Sequence, residues 1–518
     1  MLRHPFLSPF LFALFPILFI YSQNAYEAEL REIYIPALIV LAVTFCLLLV
    51  LRVFKVQKRE ASLLTASIIF FFFLFGNILA LLPESIKLFD GFTLKNSSVT
   101  LFVISVCLLT VFYLIFKFKP SEKLITIINI IGIVLVVMQI LQGGYVLATR
   151  DYTGELEEQA EKVEILKTIE GDFPDIYFFV LDGYARADVL RDYYQYDNSE
   201  FLSFLRDNNF YLADSSTSNY AQTLLSVAAT LNLNYIPEIG DFYHLSHDRM
   251  PLAKKLWDNK FFTMLKERGY EIISYATGLN YTEFVDADKF LSPNISLSQY
   301  QNILLSYTPI PYLFDLEKSQ YDLHRDRILY AFDNLADAAS DKKPSFVFIH
   351  VIAPHPPFVF DAQGRPIEAD RTYSITDGTG FMQHGGSVDE YIQQYRDQLA
   401  YISKLTQKAI NDIFESYDDN KPIIVIQGDH GPGSQTHWNL VEQTDMHERF
   451  SILNAVYTPD NKSGKFYHSM TPINTFRIIS NKFLKTEFPL LFDSSYFSTF
   501  SYPYSFYNVT EKLNSSKK

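Results

Sequence analysis

The chain has 518 residues, 48% of them hydrophobic and 16% aromatic, with 46 Phe and 34 Tyr; this length allows two or three domains, and the aromatic excess points to a membrane portion. A formal net charge of −14 argues against a nucleic-acid partner. The only cysteines, Cys46 and Cys107, lie in apolar segments, which excludes a disulfide scaffold, a Cys-liganded zinc module or a cysteine nucleophile from the polar remainder.

Five apolar stretches open the chain, at roughly 5–22, 34–53, 61–83, 99–117 and 124–146, each close to the ~20 residues a membrane helix needs. The first could be a signal peptide, but no small-residue cleavage site follows it, so a retained helix is expected. Arg52, Lys55, Lys58 and Arg59 follow the second stretch, and Lys117, Lys119 and Lys123 separate the last two. The positive-inside rule makes both loops cytoplasmic. Glu27, Glu29, Glu32, Glu84 and Asp90 then lie outside, as does everything after residue 150. No lone charge interrupts a span, which favours an anchor over an ion path. The expected organisation is a transmembrane domain over 1–150, a juxtamembrane linker helix over 151–172 and a catalytic domain over 173–518.

The linker carries Leu156, Val163, Leu166 and Ile169 at helical spacing among charged residues. From Phe173 onward, apolar runs alternate with helical patterns, predicting an α/β domain around a central, mostly parallel sheet. The run Lys421–Pro432 is the most informative. Ile423, Ile424, Val425 and Ile426 form an apolar, β-branched stretch that stops at Gly428-Asp429-His430-Gly431, as a strand buried on both faces would. Two other runs behave alike: Asp175–Leu181 ends in Asp182-Gly183, and Ser345–Ile349 ends in His350, with His355 following. Ligands on open α/β sheets sit beyond the carboxyl ends of the strands. Two carboxylates and a histidine gathered there suit zinc or manganese better than soft metals. A hydroxyl for that site is offered by Thr223, where a polar loop enters a small-residue helix; taken alone, the segment reads more readily as an ordinary N-cap.

These residues resemble the sulfatase-like branch of the alkaline phosphatase superfamily over about 175–490. Asp182-Gly183-Tyr184 is similar to its opening metal motif, and Thr223 to Leu231 to its nucleophile-and-helix segment. His350 through Pro357 resembles a motif that places a substrate-contacting His, and Gly428 to Gly431 the closing Asp-His pair. With five membrane helices ahead of it, the chain further resembles lipoteichoic acid synthases and lipid A phosphoethanolamine transferases. The resemblance implies metal ligands Asp182, Thr223, Asp429 and His430, a catalytic pair Thr223 and His355, and one divalent cation, zinc or manganese before calcium or magnesium. His350, His437 and His447 are left as substrate candidates, or with His355 as the makings of a second metal site. Three departures stand out: no Cys-x-Pro-x-Arg of the cysteine-type sulfatases, Asp182 where the transferases commonly carry Glu, and no Asp-x-x-x-His between Thr223 and Asp429.

The implied function is transfer of a phosphoethanolamine or phosphoglycerol group from a membrane phospholipid donor to an envelope glycan or lipid acceptor, by a multi-pass protein of the cell membrane with its catalytic domain outside. A membrane-tethered hydrolase of sulfuric or phosphoric esters shares the first half-reaction, and a non-catalytic surface protein is the remaining alternative. Glu390–Phe414 is expected as a core helix, Ile452–Thr458 as a strand, and Phe358–His384 as a connecting loop or a lid.

Overall fold

The computed structural model describes residues 2–25, 30–83, 85–89, 92–149, 171–293, 299–314, 316–339, 343–367, 371, 373–418, 421–460 and 465–515. The expected linker helix falls almost wholly outside the described residues. Two compact units emerge: residues 1–150 with Leu297–Glu317, and residues 151–296 with Lys318–Lys518.

The first unit is helical. Helices α1 (Leu7–Gln23), α2 (Tyr34–Val53), α3 (Lys58–Leu79), α4 (Asn96–Phe118) and α5 (Glu122–Thr149) match the five apolar stretches. Among the described residues four helical segments are long and apolar enough to cross a membrane; α1, with 17 residues, is shorter. It is nevertheless the inner helix of the unit. Ala13, Ile17 and Ile20 are buried against Ile69, Phe73 and Val146, and the Ser22 hydroxyl donates to Gln139 at 2.7 Å. A polar pair of this kind among apolar side chains helps fix helix register. A short helix from the polar half of the sequence, Gln299–Ser306, joins this unit: the Tyr300 hydroxyl donates to the Ile17 carbonyl at 2.9 Å, and Leu304 enters the same apolar cluster.

The second unit is built on a seven-stranded sheet. Its strands are β1 (Ile176–Leu181), β2 (Tyr211–Leu212), β3 (Glu271–Tyr275), β4 (Lys289–Leu291), β5 (Ser345–Val351), β6 (Ile423–Gln427) and β7 (Asn454–Tyr457). Their spatial order is β2-β7-β6-β1-β5-β3-β4. Strands β6, β1, β5, β3 and β4 run parallel, whereas β7 lies antiparallel to β6 and β2 antiparallel to β7. The sheet is therefore mostly parallel, as expected. Strand β1 is central and wholly buried, because its alternate side chains feed two cores. Tyr177, Phe179 and Leu181 pack on one face with helix α7 (Val388–Glu415); Ile176, Phe178 and Val180 pack on the other with α6 (Thr223–Leu231).

This topology puts the chemistry in one place. β1 lies between β5 and β6, with Val180 opposite both His350 and Gln427. Neighbouring strands are ~4.8 Å apart, so side chains leaving the same ends of three adjacent strands must meet. Two glycines of the β6 exit let other backbone approach: a Cβ on Gly428 would stand 2.5 Å from the Tyr184 carbonyl oxygen, and one on Gly431 only 2.0 Å from that of Glu448. Gly431→Ala should consequently destabilise the unit by about 1–3 kcal/mol, the usual scale for forced overpacking. Thermal unfolding of the purified chain checks this, and an unchanged midpoint would show that the backbone yields freely.

Candidate active site

Asp182 leaves the end of β1, and its carbonyl oxygen accepts the His355 N–H at 3.0 Å. Gly183 takes φ +73°, a left-handed turn that glycine enters without a Cβ clash, and its N–H donates to Asp429 Oδ1 at 3.1 Å. Asp429 is fixed again through its carbonyl, which accepts the Ser226 hydroxyl of α6 at 2.7 Å. His430 Nε2 lies 3.5 Å from Asp182 Oδ1 and 3.3 Å from Asp429 Oδ2. The three residues are all but sealed from solvent.

Thr223 joins them. It is the first residue of α6, and its Oγ1 is 3.1 Å from His430 Nε2. The N-cap is Gln222, whose side chain donates to Ser498 instead of capping, so Thr223 is not the capping residue. His430 Nδ1 donates to the Gly431 carbonyl at 2.9 Å. That bond leaves the lone pair on Nε2, facing the Thr223 hydroxyl and both carboxylates.

His350 and His355 come to the same place. His350 Nε2 is 3.3 Å from Asp182 Oδ2, and His355 Nε2 is 3.7 Å from Asp377 Oδ2. Among the described residues two groups can hold a metal ion, Asp182 with His355 and His430, and Asp182 with His350 and Asp429; within each, the ligand atoms lie within 4.8 Å of one another. The donor set fits a cation on a further ground. Asp182 Oδ1, Asp429 Oδ2 and His350 Nε2 are buried atoms with no hydrogen-bond partner, and buried polar atoms left in that state ordinarily have an ion or water to satisfy them. His437 and His447 belong to neither group. His437 is anchored by its backbone N–H to the Thr444 hydroxyl, and His447 Nε2 faces Asp188 at 3.0 Å.

Electrostatics follow burial and charge. Burial would raise the Asp182 carboxyl, but His355, His350 and His430 outweigh it and hold it well below the usual carboxylate range. Burial disfavours protonated His355, yet the fields of Asp182 and Asp377 raise its pKa above the ordinary value. Burial and then Arg449 push His430 the other way, towards the neutral form.

Asp377 and Arg449 were not singled out from the sequence. Asp377 sits in the Phe358–His384 connection and accepts from Tyr391 Oη at 2.7 Å and from Arg449 Nη1. Arg449 also donates to the carbonyls of Ala221 and Gly431 and stacks on Trp438 at 4.7 Å. It thereby ties the loop before Thr223 to the loop after His430. No local pattern marks either residue; Asp377-Gly378 reads as a turn, and Arg449 lies within the short helix Met446–Phe450. Asp377→Asn would leave a buried guanidinium without its counter-charge, which costs about 3–5 kcal/mol. Denaturant unfolding of that variant should show this loss, and a change within error would mean that Arg449 is otherwise compensated.

Glu448 lies buried beneath these loops. Burial pushes its carboxyl up to about 7 despite three donors, the Ser434 and Tyr194 hydroxyls and the Gln435 N–H. The folded chain therefore holds a proton that the unfolded chain releases near 4.5; this group's contribution is full below that value and is lost as pH rises through about 7. Glu448→Gln, neutral throughout, should flatten the fall in unfolding midpoint between about pH 5 and pH 8. Parallel pH profiles for the two proteins would contradict it.

The profile of the sulfatase family matches residues 191–500. No curated protein matches the chain. Among solved structures, the chain is similar to the C-terminal periplasmic domain of EcEptC from Escherichia coli in complex with Zn, at 11% identity and TM-score 0.43, covering 65% of this chain and 93% of that one. It is similar to the soluble domain of lipooligosaccharide phosphoethanolamine transferase A from Neisseria meningitidis at 12% identity and TM-score 0.39, over 60% and 88% of the two chains. BT1596, a 2-O GAG sulfatase, aligns at 12% identity and TM-score 0.40 over 61% and 72%.

Proposed function

The chain belongs to the sulfatase family, and on that premise we propose that it is a membrane-bound, metal-dependent transferase. It moves a phosphoethanolamine- or phosphoglycerol-type group from a phospholipid to an envelope glycan or lipid, through a phospho-threonine on Thr223. The observation that carries this reading is the Thr223 hydroxyl, 3.1 Å from His430 Nε2 at the start of a helix, where backbone N–H groups favour phosphate oxygens.

Asp182, Asp429 and His430 would hold the cation. When bound it supplies a lowered hydroxyl pKa and a polarised phosphate, zinc or manganese suiting the mixed oxygen and nitrogen donors. Thr223 Oγ1, its proton given up to solvent, attacks phosphorus as an alkoxide, and the bond to the lipid alcohol breaks. His355 gives that departing oxygen a proton. In the second displacement His355 takes the proton of the acceptor hydroxyl, which attacks phosphorus and frees Thr223. Asp377, beside His355 Nε2, favours the protonated form that His355 needs before the first displacement and regains in the second.

The basic loops Arg52–Arg59 and Lys117–Lys123 support an extracytoplasmic catalytic unit, and the buried position of α1 supports its retention. Hydrolysis needs a single anchor, so the wider bundle favours transfer. The decisive measurement is intact mass of the purified chain after incubation with total membrane lipid. A mass increment mapping to Thr223 is expected, and Thr223→Ala should lose both increment and turnover while keeping the wild-type unfolding midpoint. Substantial residual turnover in Thr223→Ala refutes the nucleophile. Release of the group at one rate with and without a glycan or lipid acceptor identifies a hydrolase instead.

A further inference from the structure

His350 occupies the penultimate position of β5, in register with Val180 of β1, and its side chain is completely buried. Its Nδ1 lies 2.8 Å from the Thr282 hydroxyl. That hydroxyl has its own acceptors, the Leu279 carbonyl at 3.3 Å and the Thr277 hydroxyl at 3.3 Å. With its proton directed there, the Thr282 oxygen accepts the Nδ1–H of His350. The lone pair of His350 is thereby assigned to Nε2.

That nitrogen lies 3.3 Å from Asp182 Oδ2 without the alignment of a hydrogen bond, and it has no other partner. A lone pair facing a carboxylate oxygen at this range is repulsive unless a positive charge stands between them. Asp182 and Asp429 each contribute a further partnerless oxygen, and their ligand atoms lie within 4.8 Å of one another and of the His350 nitrogen. A cation with bonds of ~2.0–2.2 Å fits among such atoms.

We propose that His350 is a direct ligand of a cation held with Asp182 and Asp429, and that Thr282 is the positioning residue that fixes its tautomer. This rests on the metal site of the preceding reading and adds to it. With His350 the two carboxylates gain an imidazole nitrogen, a donor that favours borderline metals such as zinc over calcium or magnesium. His350 then does not serve as a substrate contact. Thr282, in the connection between β3 and β4, becomes part of the centre without touching the ion, as second ring nitrogens of ligating histidines commonly require.

The test uses the full-length chain in detergent, stripped with a chelator and titrated with zinc chloride or calcium chloride in competition with a chromophoric chelator. His350→Ala, His350→Gln, Thr282→Val and Asp429→Asn are compared with wild type, and the unfolding midpoint of each metal-free variant reports folding. His350→Ala and His350→Gln should bind zinc more than ~100-fold more weakly and lose most of the preference for zinc over calcium; Thr282→Val should weaken zinc by about 10–100-fold. Cobalt substitution gives a second readout. Loss of one nitrogen donor should alter the visible absorption of the cobalt form in both His350 variants. Wild-type affinity and an unchanged cobalt spectrum in folded His350 variants, with binding lost in Asp429→Asn, overturn the inference and leave the metal site standing. Wild-type affinity in Asp429→Asn as well removes the metal site itself. If His350→Ala fails to fold, His350→Gln and Thr282→Val decide the question alone. Wild-type affinity in Thr282→Val with loss in the His350 variants refutes the positioning role.

Discussion

The catalytic unit depends on compensating carboxylates that it cannot leave in water. Three adjacent buried strands end at one level, so Asp182 and Asp429 are carried into the same sealed pocket that Asp377 reaches from a connecting segment. An unpaired buried charge costs several kcal/mol. Arg449 is engaged by Asp377, and this leaves Asp182 and Asp429 with orphaned oxygens and with imidazoles as the ionisable partners they face among the described residues. A fold that tolerates this arrangement has a requirement for positive charge written into its strand order.

The imidazoles are prepared for that requirement. His430 gives Nδ1–H to the Gly431 carbonyl, His355 to the Pro356 carbonyl, and His350 to the Thr282 hydroxyl. Each ring therefore points Nε2 inwards. For His430 and His355 the clamp is the next residue, so the local chain sets ring orientation at little cost. For His350 the partner is 68 positions away, and its orientation depends on the sheet having assembled. Pre-set donors reorganise little when charge develops, which is the main source of electrostatic stabilisation in such sites.

Much of this was legible in the sequence, for a physical reason. Strands buried on both faces must be continuously apolar, so a run that stops at Asp182, His350 or Asp429 announces both the strand and the residue at its end. Long apolar helices announce themselves by length and hydropathy, and α1 to α5 fall where the apolar stretches lie. The helix Gln299–Ser306 was not legible as part of the first unit, because eight residues are too few for a spanning signal. Asp377 and Arg449 were hidden for another reason. Their importance lies in a pairing across 72 positions, and neither sits in a segment whose periodicity shows which way its side chain faces. The Phe358–His384 segment reads as a mere connection until Asp377 is seen against Arg449.

The start of α6 departs from an ordinary capped helix entry. Threonine is a good capping residue, and a side-chain cap stabilises a helix by about 1 kcal/mol. Here the threonine stands one position inside the helix, and the capping position is held by Gln222, which makes no cap. The first turn is thus left without a side-chain acceptor while the Thr223 hydroxyl is turned to His430. Both choices forgo helix stability. Both also leave N–H dipoles and a hydroxyl directed at the place where a negatively charged group would approach the acid and imidazole cluster. The lost helix stability is recovered through burial, since every residue from Leu224 to Leu231 lies in the core, so packing holds in place a helix start that capping would have closed to a ligand.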